Sequence, residues 1–302
     1  MGTGRWDSSA WSSYSTAHVA GKSSAAVFSS KKMKDDFDPA QINVRESRDS
    51  ADNPNSTPII VGVDVTGSMG IIADNLIRDG LNTLATEIYA RKPVSDPHVM
   101  ALAIGDAYVD QSPLQATQFE ADIRIAKQLQ ELWLEKGGGP NDGESYNLAH
   151  LFAAEKTVSD AWEKRGKKGY LFTIGDEPVL EQVTSDQASK FLGLQTPTLS
   201  TEECIRMASA KYEVFHVVIN EKRRGFGIDP IVQWKSLLPQ RVIVLNDHTK
   251  LAETIVSAIQ VAEGAKKADV ASSWSGGTSM VVAGAIQDLV EVGASTGVRR
   301  LA

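Results

Sequence analysis

IIVGVDVTGSMG, residues 59–70, joins an unbroken apolar, β-branched run to one carboxylate, two hydroxyls and two glycines. A short uninterrupted run of Ile and Val is how a strand buried on both faces reads. Where it ends, Asp64, Thr66 and Ser68 stand at alternate positions. In an extended turn, such spacing lets their side-chain oxygens converge on one point above the strand end. Hard oxygens from a carboxylate and two hydroxyls, with no His or Cys beside them, suit Mg2+ or Mn2+ and not zinc. Ser68 also precedes MGIIADNLI and has the right chemistry for a helix N-cap. Capping alone does not require three polar residues at alternate positions.

Outward from this stretch, apolar runs alternate with amphipathic ones. PIIVGVDV is followed by IIADNLIRDGLNTLATEIYA, HVMALAIGD and FEADIRIAKQLQELWLE. SYNLAHLFAAEKTVSDAWEK, KGYLFTIGD, SDQASKFLG, TEECIRMASAKY, EVFHVVIN, DPIVQWKSLL, RVIVLND and HTKLAETIVSAIQVAEG continue the pattern. The alternation predicts an α/β domain over 58–265: an open, doubly wound, mostly parallel sheet with helices on both faces. Residues 1–57 show neither helical nor strand periodicity and read as a polar N-terminal arm. Trp6 and Trp11 would pin it, with a loose stretch between Ser47 and Ser56. Residues 266–302 read as a linker and a C-terminal tail with a short helix.

Ligands of open parallel sheets sit at the carboxyl ends of the strands. Three strand ends carry an acid there: Asp64, Asp106 in ALAIGDAY and Asp176 in LFTIGDEP. A Gly-Asp pair after a strand is also a common turn, which is the expected role of Asp106. His98, His150, His216 and His248 have no metal-ligand spacing and are expected to be structural.

The D-x-T-x-S pattern at 64–68 resembles the metal-ion-dependent adhesion site (MIDAS) of von Willebrand factor A (VWA) domains, written D-x-S-x-S with Thr common in the middle. The resemblance continues with a Gly-rich loop, GGGPNDGESYNLA at 137–149, and with Asp176 as the later acid. It implies a metal set of Asp64, Thr66, Ser68, Glu144 and Asp176. Most A domains present a Thr from the second loop; this loop is similar to the Glu-bearing integrin β-subunit version, which points to Glu144, with Asp142 and Ser145 as the alternatives. The resemblance further implies a non-enzymatic, intracellular module. It would bind Mg2+ or Mn2+ and capture an acidic residue of a protein partner, with AAA+ ATPase systems as a partner class by analogy.

Two enzyme readings compete. DVTG is similar to the D-K-T-G signature of haloacid-dehalogenase-type phosphotransferases, with Asp64 as nucleophile, but the Ser or Thr expected after the second strand is missing from MALAIGDAY. TGSMG nearly matches G-x-S-x-G, and Ser68, Asp176 and His248 follow the chain order of a serine hydrolase. That fold needs strands before the elbow, and only a polar arm precedes Asp64.

Whole-chain numbers narrow the field. A net charge of −7 argues against a protein that coats nucleic acid. The basic cluster Lys222-Arg223-Arg224 reads as a solvated turn. With Cys204 the only cysteine, no intrachain disulfide forms. No signal-peptide pattern and no run of about 20 apolar residues is present, so the expected location is the cytoplasm, with no membrane partner.

Overall fold

The computed structural model describes residues 3–135, 143–221 and 227–291. Among them the strands, in chain order, are β1 (Arg45–Ser47), β2 (Thr57–Asp64), β3 (Pro97–Ile104), β4 (Leu114–Ala116), β5 (Thr157–Ser159), β6 (Gly169–Gly175), β7 (Gln182–Val183), β8 (Leu199–Ser200), β9 (Tyr212–Ile219) and β10 (Val242–Leu245). Six of these form one sheet in the order β10-β9-β6-β2-β3-β4. All its pairs are parallel except β3 with β4. The fold is therefore the mixed α/β architecture that the alternation predicts. The five apolar runs supply its five parallel strands.

Every residue of β2 and β3 is buried, as helices on both faces demand. Ile59, Val61 and Val63 enter one core, with residues of the helices Gly70–Asn75, Leu81–Arg91, Arg124–Gln130 and Leu251–Ala262. Ile60 enters the other, with the helices Tyr146–Glu155, Ser185–Leu192, Thr201–Ser209 and Pro230–Leu237. The helix starts are written in the sequence. Thr184 with Gln187, and Ser200 with Glu203, form capping boxes. Asp229 caps a helix that opens on Pro230.

Three local expectations differ from the structure. The amphipathic stretch 145–164 is not one helix. It stops at Glu155, and Thr157–Ser159 pairs in parallel with β1 before Ser159 caps the helix Asp160–Arg165. The N-terminal segment is built into the molecule. The helix Ser8–His18 buries Trp11, and Val19, Val27, Phe28 and Phe37 join the first core. The stretch expected to be loose, 47–56, is tied down: Asp49 accepts from Arg165 Nη1 at 2.7 Å and from the Ser56 hydroxyl at 2.8 Å. Asn53 is buried and donates to the Gly4 carbonyl at 2.8 Å. Finally, the expected linker after 265 contains the helix Lys267–Ser272, followed by Gly276–Ile286. Val270, Val282, Ala285, Ile286 and Leu289 from this region all enter the first core.

Candidate functional site

The carboxyl end of β2 sits between those of β3 and β6, because β2 pairs with both. Asp64 closes β2 and is fully buried. Its Oδ1 accepts from the Thr66 amide at 2.8 Å and from the Thr66 hydroxyl at 2.7 Å, which folds 64–66 into a tight turn. Its Oδ2 accepts from the Tyr146 hydroxyl at 3.0 Å. Gly67 continues the turn at φ 42°, a region that favours glycine.

Glu144 reaches the same point from the loop before the helix Tyr146–Glu155. Thr66 Oγ1 lies 3.0 Å from Glu144 Oε1. The Glu144 backbone is fixed by the loop after β6: its amide donates to the Pro178 carbonyl at 2.9 Å, and its carbonyl accepts from the Leu180 amide at 3.2 Å. Asp176 opens that loop, and its charge acts on Asp64. Burial raises the Asp64 carboxyl above the ordinary carboxylate range; the Thr66 hydrogen bonds oppose the shift and Asp176 adds to it. Burial, then the charge of Asp64, raises Glu144.

Of the residues expected at a metal, the structure thus brings Asp64, Thr66 and Glu144 into direct contact and places Asp176 within electrostatic reach. Ser68 lies in the turn Gly67–Met69, but its side chain is outside the described residues. Asp142, one alternative to Glu144, also lies outside them, as does the cluster Lys222-Arg223-Arg224. Ser145, the other alternative, has a structural duty: its hydroxyl accepts from the Ala107 amide at 2.8 Å. His248 belongs to a separate contact, with Nδ1 2.8 Å from Glu221 Oε1. The expected turn at Asp106 forms, since Oδ1 accepts from the Tyr108 amide at 2.9 Å.

No family model matches the chain, and no curated protein matches it. Solved structures similar to it in fold include the pilus adhesin SpaC from Lactobacillus rhamnosus GG in its open conformation, at 10% identity and a TM-score of 0.45 over 72% of this chain and 31% of that one. A von Willebrand factor type A structure from Catenulispora acidiphila is 14% identical, with a TM-score of 0.38 over 71% of this chain and 44% of that one. The human COPII-coat protein Sec24c is 13% identical, with a TM-score of 0.35 over 68% of this chain and 32% of that one. The chain therefore spans less than half the length of each of these neighbours.

Two supporting residues escaped the sequence reading. Tyr146 holds Asp64 from a helix that begins 82 positions later in the chain. Gly175 makes room for it: a Cβ there would stand 1.8 Å from the Tyr146 hydroxyl oxygen. The signal was present in the Gly of KGYLFTIGD, which reads locally as turn chemistry. Beneath the site, Tyr146 packs edge-on against Trp234 at 5.5 Å, and His216 stacks on Trp234 at 3.6 Å.

Among the described residues, no group of three or more His, Cys, Asp or Glu side chains is gathered closely enough to hold a metal ion. The donors at this edge are instead two carboxylates and the hydroxyl between them. Glu144 Oε2 is buried with no hydrogen-bond partner. An all-oxygen set with an unsatisfied carboxylate oxygen fits a hard divalent cation and does not fit zinc.

Proposed function

We infer that the chain is a divalent-cation-dependent protein-binding module, of the VWA type with a metal-ion-dependent adhesion site, and not an enzyme. One observation carries this reading. The Thr66 hydroxyl has a single hydrogen, yet its oxygen lies 2.7 Å from an Asp64 oxygen and 3.0 Å from a Glu144 oxygen. With both acids ionised, one of these contacts sets lone pair against lone pair in a buried place, an unfavourable arrangement that a proton on the raised Glu144 carboxyl relieves in the bare chain and a cation among the three oxygens would relieve when bound. When bound, Mg2+ or Mn2+ would supply a positive centre with coordination positions left for an outside oxygen.

The residues of the chain then have distinct tasks. Asp64, Thr66 and Glu144 hold the cation, with Ser68 and Asp176 completing the set. Tyr146 fixes the direction of Asp64, and the loop Asp176–Leu180 fixes that of Glu144. Exposed apolar side chains stand on the segments that follow the strands at this edge: Ile71 after β2, Tyr108 and Val109 after β3, and Ile228 and Val232 after β9. Such a rim favours a protein partner, docked by an acidic side chain and apolar neighbours. An AAA+ ATPase system is the partner class we propose.

The test is a melt of the chain in EDTA and in saturating Mg2+. At about a hundred times Kd, binding adds about 2.7 kcal/mol of stability by mass action, and Asp64→Ala abolishes the response. Identical melting in EDTA and in millimolar Mg2+ or Mn2+ would overturn the reading.

A further inference from the structure

A different cleft opens in the N-terminal segment. Asp35, Asp36, Asp38, Gln41, Asn43 and Arg45 are among the residues that line it. Its volume of about 600 Å³ falls within the range of about 300–1,000 Å³ usual for small-molecule sites. The wall is pinned at both ends, since Phe37 enters the first core and Ile42 the second. Between them the Asp38 carbonyl accepts from the Gln41 and Ile42 amides at 3.0 and 3.1 Å, and Asp38 Oδ1 accepts from the Ala40 amide at 2.9 Å.

Arg45 is the most buried charged residue of this lining, 7% exposed. Its Nη2 donates to the Ala116 carbonyl at 2.9 Å and to the Asp36 carbonyl, and its Nε is buried with no hydrogen-bond partner. The carbonyls fix the direction of the guanidinium without neutralising its charge. Arg48, Arg78, Arg91, Arg124, Arg165 and Arg241 each pair with a carboxylate. Arg45 forms no ion pair among the described residues. Burial pulls it down to about 10, and the charge of Asp36 opposes that shift. A buried cation that is held in place and left unpaired is costly in the bare chain, and an anionic group of a ligand removes the cost.

The rest of the charged lining has the opposite sign. Asp35 and Asp36 are exposed and Asp38 is half-buried, and none of the three forms an ion pair among the described residues. Three carboxylates repel a simple anion such as phosphate, so the ligand must also bring positive charge. They are not gathered closely enough to hold a metal ion, which leaves an organic cation. We propose that this cleft binds a basic amino-acid unit, with its free carboxylate on the Arg45 guanidinium and its cationic groups along Asp35, Asp36 and Asp38. A guanidinium takes a carboxylate through two parallel hydrogen bonds, and an ammonium group is a compact point charge that needs no fixed geometry from its acids. Free lysine and the C-terminal lysine of a peptide share this chemistry. The proposal is independent of the function inferred above and of any cation at Asp64.

The test is a calorimetric titration of the full chain in EDTA, which keeps any cation at Asp64 out of the measurement. The probes are L-lysine, a tripeptide ending in lysine, the C-terminal amide of that tripeptide, and cadaverine, which is lysine without its carboxylate. L-lysine or the tripeptide is expected to bind with a millimolar or lower Kd, and the tighter of the two names the source. The amide and cadaverine should bind about tenfold or more weakly, having lost one charge-assisted contact. Arg45→Gln, whose amide can still donate to the two carbonyls, should weaken L-lysine and the tripeptide to the level of cadaverine. The double variant Asp35→Asn with Asp36→Asn changes only exposed side chains and should weaken all four probes. Cadaverine binding as tightly as L-lysine would show an unselective acidic surface and overturn the proposal. So would the absence of binding by both L-lysine and the tripeptide, or wild-type affinity in Arg45→Gln.

Discussion

Glu144 and Ser145 are chain neighbours with different duties. Glu144 turns its carboxylate to Thr66, whereas Ser145 turns its hydroxyl back to the Ala107 amide. Glu144→Ala is therefore expected to weaken Mg2+ or Mn2+ binding in a calorimetric titration more than Ser145→Ala does. Ser145→Ala should instead lower stability, by about 1 kcal/mol for a lost hydrogen bond; the reverse ranking would show that Glu144 is not the principal ligand. A second residue to test is His150, buried with neither ring nitrogen hydrogen-bonded. Burial lowers its pKa from 6.5 to about 3. Below pH 6.5 the unfolded chain takes up a proton that the folded chain refuses until about pH 3, so stability falls as pH drops through that window. The slope from this residue is about 1.4 kcal/mol per pH unit. His150→Leu should remove that share and flatten the decline in urea-denaturation stability between pH 6.5 and 4.5. Asp64 and Thr66 were legible because their spacing is local. Tyr146 was not, since its contact exists only once a helix and a strand have met. Asp106 was legible as a turn residue, since its Oδ1 does the turn work that Gly-Asp announces.

At the level of elements, the parallel strands could be read directly because burial on both faces leaves no polar alternation to confuse the pattern. β4 escaped because three residues at a sheet edge carry too little signal. The break at Lys156 escaped for another reason: Thr157–Ser159 becomes a strand by pairing with Arg45–Ser47, a partner far away in the chain. The helix Ser8–His18 is polar along most of its length, so its anchoring rests on few residues. Trp11 is buried, with the Trp6 ring 5.7 Å away. Trp11→Ala is expected to cost about 3–5 kcal/mol, the usual range for emptying a large aromatic site. Because Trp11 shares the first core with β2, the loss should appear as a shift of one cooperative urea transition. A separate early transition would show that the N-terminal segment unfolds on its own.

Across the whole molecule, the two ends of the described chain close over the same face of the sheet. The Trp274 ring lies under Arg91, 3.5 Å from the guanidinium carbon to the ring centroid, and its Nε1 donates to Ser257 Oγ at 2.8 Å. Lys267 Nζ donates to the Gln287 and Leu289 carbonyls at 2.6 and 2.9 Å, tying the start of the helix Lys267–Ser272 to the segment that follows the helix Gly276–Ile286. A chain ending at residue 265 should therefore expose apolar core surface. It is expected to melt earlier and aggregate more readily than the full chain, measured by light scattering during a thermal ramp. Among the described residues, no helix is long and apolar enough to cross a membrane. The central place of β2 between β3 and β6 has one more consequence, and it concerns time. The Asp64 turn is made early in synthesis, but the neighbour that brings Asp176, and the loop that clamps Glu144, come more than a hundred residues later. On the proposed reading, a ribosome-bound fragment ending before β6 would carry the Asp64 turn but neither Asp176 nor the loop that clamps Glu144, so cation binding would wait until residues 176–180 had been made and folded back.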